Sequence, residues 1–302
     1  MIACADTGQS TATVASPVAG IKDIVCIASG KGGVGKSTIT VNLACGLKAK
    51  GLSVGVLDAD IHGPSVALLL GTGEGVEATT NGRAKPKMTH GIASLSVGNL
   101  LPPEAGLVWK GPLIAQAVEQ LFHDVSWPDL DVLLVDLPPG TGDVQLTILE
   151  RIAVTGAVIV STPQRLAAVD AERGIALFHE FDIPVFGLIE NMAGYVCPCC
   201  GEAQNLFPAG SIETLARKRH VAYLGAVPLD PAAQAAADNG APLALADARS
   251  AAADAIHAIA ARVATAIERE TRMRRAASAM TDEDRAALGF WRELASDEGV
   301  RP

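Results

Sequence analysis

Short apolar runs recur along this chain, and between them the apolar positions fall at helical spacing. Runs of strand length lie at Ile24 to Ala28, Ser53 to Leu57, Ile92 to Val97, Val132 to Val135, Ala157 to Ser161, Val185 to Ile189 and Ala222 to Val227. Near-continuous apolar strands alternating with amphipathic helices predict an α/β fold: a mostly parallel, twisted sheet with helices on both faces. The segment from Thr38 to Lys50 reads as a helix, and Gly71 to Pro112, rich in Gly, Pro and polar residues, reads as a loop with a short strand inside it. Between Ala251 and Ile267 the residues Ile256, Ile259, Val263 and Ile267 make one apolar stripe. Such a stripe docks on its own sheet or, in the other reading, lies on a membrane surface. After Thr281, a candidate N-cap, Leu288, Trp291 and Leu294 form a second small apolar face that packs on the body or receives a partner. The longest apolar runs, such as Gly156 to Val160, are strand-sized and far short of the ~18–20 residues that cross a bilayer.

Open sheets of this kind bind ligands beyond the carboxyl ends of their strands, and the polar motifs fall there. The first strand runs into Gly30, Lys31, Gly32, Gly33, Val34, Gly35, Lys36, Ser37 and Thr38. The glycines let successive N–H groups turn inward on phosphate oxygens, Lys36 reaches the β- and γ-phosphates, and the Ser37 hydroxyl is placed to ligate Mg²⁺. The following helix turns its positive N-terminal dipole toward the phosphates. A plain glycine turn is the bland alternative, but strand, loop, lysine, hydroxyl and helix in this order predict binding and hydrolysis of a nucleoside triphosphate. Lys31 leaves the loop too early to follow the route of Lys36, and by itself it reads equally as a solvated loop lysine.

Two carboxylates, Asp58 and Asp60, close the second strand, and their type and place suit cofactor contact through metal-linked water or positioning of an attacking water. A helix cap is the competing role for Asp60. A later strand ends in Asp136, an apolar run followed by an acid, as the water shell of Mg²⁺ requires. Gly140 and Gly142 follow in a segment read as a switch that senses the γ-phosphate, with a rigid Pro-Gly turn as the alternative.

Composition narrows the class. A chain of 302 residues with 49% hydrophobic content suits one large domain, placed at residues 21–275, with a flexible tail over 1–20 and a C-terminal tail with a short helix over 276–302. A net charge of −9, with only 3 Trp, 2 Tyr and 6 Phe, speaks against nucleic acid as a partner. The basic clusters at 217–220 and at Arg272, Arg274 and Arg275 read as solvated helix ends rather than a docking patch. The first twenty residues lack the basic start and apolar stretch of a secretory signal, so a cytoplasmic protein without stable membrane association is expected. Cys26 and Cys45 fall in a strand and a helix as small apolar side chains, whereas Cys197, Cys199 and Cys200 crowd together. In a reducing compartment such clustering favours metal or redox chemistry over a structural disulfide. The Cys197–Cys200 spacing holds one edge of a metal or cluster, and a four-thiolate zinc site and a dithiol/disulfide couple are the rival uses.

In chain order GKGGVGKST, DADIHGPS, WKGPL, DLPPGTGD, STPQ, ENM, the CPCC cluster and VPLD resemble the Mrp/ApbC family of iron–sulfur carrier ATPases, deviant Walker A members of the MinD/ParA-like P-loop NTPases. The likeness runs from about Lys22 to about Leu245. It implies that Lys31 crosses a homodimer interface to the partner's ATP, that Asp60 helps place the attacking water, that Asp136 belongs to the Mg²⁺ shell, and that Asn191 hydrogen-bonds the adenine. It further implies that Cys197 and Cys200 of two subunits share a labile four-iron four-sulfur (4Fe-4S) cluster, taken from scaffold proteins and handed to client apo-proteins. A MinD/ParA-like spatial switch with structural zinc cysteines is the alternative. Departures from the family pattern are Cys199 in place of His, His62 in place of Tyr, and Lys110 and Leu113 in place of Arg and Met.

Overall fold

The computed structural model describes residues 15–60, 63–73, 75–97, 111–197, 200–208, 210–245 and 250–280, with backbone alone over 111–115. His62, Lys110, Cys199 and the apolar face at Leu288, Trp291 and Leu294 lie outside the described residues. The strands are β1 (Ile21–Ala28), β2 (Val54–Asp58), β3 (Glu77–Ala78), β4 (Ala84–Lys85), β5 (Lys87–Thr89), β6 (Ile92–Ser96), β7 (Leu130–Asp136), β8 (Gly156–Ser161), β9 (Val185–Val196), β10 (Ala203–Gln204) and β11 (Tyr223–Leu229). The helices are α1 (Lys36–Ala49), α2 (Val66–Leu69), α3 (Gly111–His123), α4 (Asp143–Arg151), α5 (Arg165–Glu180), α6 (Ser211–Lys218), α7 (Pro231–Asp238) and α8 (Ala251–Ala279).

Among the described residues nine strands form one sheet in the order β10-β9-β8-β1-β7-β2-β6-β5, with β11 paired to β9. The inner pairs are parallel, and only the short β5 and β10 run antiparallel to their neighbours. Alternation along the strands builds two cores. Ile24, Cys26 and Ala28 of β1 face one layer with Phe122 of α3, Ile148 of α4, Phe178 of α5 and Ile212 of α6. Val25 and Ile27 face the other with Leu43 and Leu47 of α1 and Val263 of α8. Both faces of the central strands are therefore dry, which explains why they read as continuous apolar runs.

The stripe on α8 is buried: Ile256, Ile259, Val263 and Ile267 are 5%, 3%, 0% and 6% exposed. At roughly 1.5–3 kcal/mol for each fully buried aliphatic side chain, undocking this face into water costs most of a domain's stability. The docked reading is the one the structure takes. Cys26 and Cys45 are likewise buried; burial pushes both thiols up, Cys45 to about 12, so they stay protonated packing groups.

Four expectations shift in detail. The helix after the glycine loop starts at Lys36 rather than Thr38, because left-handed Gly35 is its N-cap. The Gly71–Pro112 stretch carries two hairpins, β3–β4 and β5–β6, and β6 is a fully buried strand beside β2. Residues 15–20, assigned to the flexible tail, are docked: Ser16 N–H donates to the Arg151 carbonyl at 2.9 Å, and Val18 is 5% exposed. The last helix also passes the expected boundary at 275 to reach Ala279.

At the opposite end of the sheet from the glycine loop, Asp131 accepts from Lys22 Nζ at 2.6 Å and from the Ser53 N–H and hydroxyl at 2.8 Å. These donors, Lys22 first, hold its carboxyl down at about 2. A carboxyl lowered on folding contributes stability above its unfolded pKa and loses it as pH falls through the folded one. Urea unfolding of Asp131→Asn should therefore show a deficit against the parent at neutral pH that closes between about pH 4 and pH 2. A deficit independent of pH would refute this role.

Candidate functional site

The carboxyl ends of β1, β2 and β7 meet below the glycine loop. Parallel register sets Asp136 of β7 beside Ile27 of β1 and beside Asp58 of β2, so two acids sit side by side where their strands end. The Asp136 carboxylate, 0% exposed, gathers three side chains of α1. Lys36 Nζ lies 2.7 Å from Oδ2, the Ser37 hydroxyl donates to Oδ2 at 2.5 Å, and the Thr40 hydroxyl donates to Oδ1 at 2.6 Å. Lys36 is itself 6% exposed. Thr40 was not among the candidates; a hydroxyl one helical turn beyond the loop lysine was its signal, because residues at i and i+4 share a helix face.

The loop itself depends on missing side chains at two points. A Cβ on Gly35, whose φ is +79°, would lie 2.4 Å from Asn191 Nδ2, and one on Gly30 would lie 2.3 Å from the Asp170 backbone in α5. The glycines thus let the loop press against β9 and α5, and Asn191 Nδ2 donates to the Val34 carbonyl at 2.8 Å. Lys31, Gly32, Gly33, Val34, Gly35, Lys36, Ser37, Thr38, Asp60 and Pro139 line a cavity of about 260 Å³. A second cavity of about 340 Å³ shares Gly35 and Thr38 with the first and is walled by Ile39, Asn42, Asn191, Met192, Val227 and Leu229. One cleft therefore has a cationic, N–H-rich end and a more enclosed apolar end. Its chemistry matches a phosphorylated nucleoside.

The remaining candidates fall into separate positions. Asp60, 8% exposed, reaches the cavity wall and accepts from the Gly63 N–H at 3.3 Å. Asp58, expected to contact the cofactor, is 0% exposed like Asp136, and its carboxylate is taken up by the turn that follows it. Oδ1 accepts from the Asp60 N–H at 3.1 Å; Oδ2 accepts from the Ser65 N–H at 3.0 Å, the Val66 N–H at 3.1 Å and the Ser96 hydroxyl at 2.9 Å. Burial, then the charge of Asp136, raises its pKa to about 6 against the pull of those donors. Gly140 donates its N–H to the Ser29 carbonyl at 2.9 Å, tying the candidate switch to the start of the glycine loop, while Asp143 is exposed in the first turn of α4.

Cys197 and Cys200 lie away from this cleft, on a turn that closes the β9–β10 hairpin. Cys197 N–H donates to the Glu202 carbonyl at 2.9 Å and its carbonyl accepts from the Gly201 N–H at 2.8 Å. Cys197 is half-buried and Cys200 exposed. Asn191 and Cys197 share one strand and its exit, six positions apart, or roughly 20 Å of extended chain.

A family model described as NUBPL iron-transfer P-loop NTPase, of the ParA group, matches residues 20–264. The chain is 45% identical over 224 residues to the iron–sulfur cluster carrier protein of Escherichia coli, covering 74% of this chain and 61% of that protein. It is 42% identical over 254 residues to the iron–sulfur cluster carrier protein of Methanocaldococcus jannaschii, covering 82% of this chain and 88% of that one. It thus spans less than two thirds of the Escherichia coli relative's length and most of the archaeal one's. Among solved structures it is similar to a nucleotide-binding protein from Archaeoglobus fulgidus in complex with ADP, with 39% identity, a TM-score of 0.65, and coverage of 73% of this chain and 87% of that one. The cell division ATPase MinD of Pyrococcus furiosus, at 20% identity, a TM-score of 0.63 and coverage of 80% and 98%, shares the fold.

Breaking a buried ion pair by removing one partner costs about 3–5 kcal/mol, because the other charge is left without compensation. Asp136→Ala strands Lys36 and should destabilise by that amount in denaturant unfolding. Lys36→Met should cost less, since Ser37 and Thr40 still donate to Asp136. Equal costs for the two would contradict this assignment of the pair.

Proposed function

The chain belongs to the ParA-group family of iron-transfer P-loop NTPases, whose model spans residues 20–264, and from that premise we propose that it is a homodimeric ATPase that carries an iron–sulfur cluster to apo-proteins. The observation that carries this reading is the course of β9. The strand that sets Asn191 against the glycine loop ends in the turn bearing Cys197 and Cys200.

At the nucleotide end the donor set fits ATP and Mg²⁺. The backbone from Gly30 to Thr38 and the ammonium of Lys36 suit phosphate oxygens, and the paired oxygens of Ser37 and Asp136 are the hard ligands or water-holders that Mg²⁺ takes. Bound there, Mg²⁺ neutralises charge on the β- and γ-phosphates. Asp60 on the cavity wall positions the attacking water, and Asn191 and the apolar cavity receive the adenine. Lys31, half-buried at the cavity, extends to the nucleotide of the second copy, where a cation stabilises charge developing on the transferred phosphoryl group.

At the cargo end, one chain offers Cys197 and Cys200, two thiolates. Two chains about a twofold axis offer the four that a 4Fe-4S cluster takes. A cargo held half by each subunit is released when the pair separates, so nucleotide-dependent association governs how long the cluster is kept. Scaffold proteins supply it, and client apo-proteins with free thiolates accept it. The names of the Escherichia coli and Methanocaldococcus jannaschii relatives, both cluster carriers, support this reading.

Anaerobic reconstitution with iron and sulfide should yield a chromophore with one cluster per dimer, lost in both Cys197→Ala and Cys200→Ala and passed on to an apo-acceptor. Iron binding that ignores both substitutions rules out the carrier. In the same preparation Lys36→Ala should abolish ATP turnover while a circular dichroism spectrum stays that of the parent; unchanged turnover removes the loop from catalysis.

A further inference from the structure

We propose that Asp58 is a positioning residue for hydrolysis: its carboxylate fixes the backbone of Asp60, Ser65 and Val66 so that Asp60 is presented to the cavity, and it contacts neither nucleotide nor metal. The proposal rests on the ATPase reading and adds a residue to it.

Asp58 and Asp136 end neighbouring strands in the same register, yet they divide the work. Asp136 collects the side chains of α1, and Asp58 collects the backbone of the turn after β2. Its three N–H donors come from the two ends of that turn. Asp60 supplies one at the start; Ser65 and Val66 supply two at the N-terminus of α2. The fourth donor, the Ser96 hydroxyl, ends the buried strand β6 and anchors the grip to the sheet. Bonds to an ionised acceptor are about twice as strong as neutral ones, so four on one carboxylate fix the loop's two ends relative to each other. Asp60, Ser65 and Leu69 form the cavity wall on this side, and Asp58 lies behind them, fully covered. A misplacement of about 1 Å in a catalytic group costs up to about a hundred-fold in rate, so a residue that sets the loop acts on turnover without touching substrate.

The test is Asp58→Asn, which keeps the shape but turns one acceptor into an NH₂ donor facing N–H groups. Turnover should fall by about ten-fold or more, while affinity for a non-hydrolysable ATP analogue and the half-saturating Mg²⁺ concentration stay at parental values. Deuterium exchange at the Ser65 and Val66 amides should quicken. Ser96→Ala, which removes one donor of four, should show a smaller loss with the same separation, and Ser96→Thr should restore turnover. If analogue affinity or Mg²⁺ demand shifts as much as turnover, Asp58 contacts the ligands and the proposal is overturned. Parental turnover in Asp58→Asn overturns it as well. Should Asp58→Asn fail to fold, Ser96→Ala decides on the same readouts. If the parent protein hydrolyses no ATP, the ATPase reading falls, and amide exchange alone judges the grip: unchanged rates at Ser65 and Val66 refute it.

Discussion

The architecture of the nucleotide end turns on one carboxylate. Asp136 is wholly buried and would be costly there alone, so the ammonium of Lys36 and the hydroxyls of Ser37 and Thr40 must close on it. That requirement pins the first turn of α1 to the end of β7. Because α1 begins where the glycine loop ends, the loop's exit direction is set by the same contact. The loop's flanks are then fixed by close approach to Asn191 and Asp170, which no residue larger than glycine permits at positions 35 and 30.

Most of this was legible in the sequence because it rests on local rules. Strand, glycine loop, lysine and helix are contiguous in the chain, and a buried parallel strand cannot hide its apolar run. Asp136 and Lys36 were legible as types in an order. What escaped depends on register and on side-chain direction. That Asp58 faces inward follows from the turn it grips, seven and eight residues downstream of the strand end, and no periodicity reports such a bond. Thr40 needed the rotational phase of α1 against β7, and the hairpins inside Gly71–Pro112 needed the buried β6, whose pairing with β2 is non-local. Loop composition alone hides that strand.

The sheet also explains why two distant chemistries belong to one unit. Parallel strands all point their carboxyl ends the same way, so the nucleotide cleft and the departing end of β9 share one rim. β8 pairs with β9 as far as Glu190, whereas β9 continues to Val196 with β10 and β11 as its neighbours. The thiols are therefore carried on an outrigger braced by two strands, beyond the layer that the helices cover.

The depth of Cys26 and Cys45 has an analytical consequence. Both sulfurs are sealed in the dry layers and held protonated, so on the folded protein an alkylating dye finds neither. Of the four cysteines placed in the structure, only the hairpin pair can answer such a reagent, so its colour counts the outrigger thiols, together with Cys4 and Cys199 outside the described residues, against a silent interior.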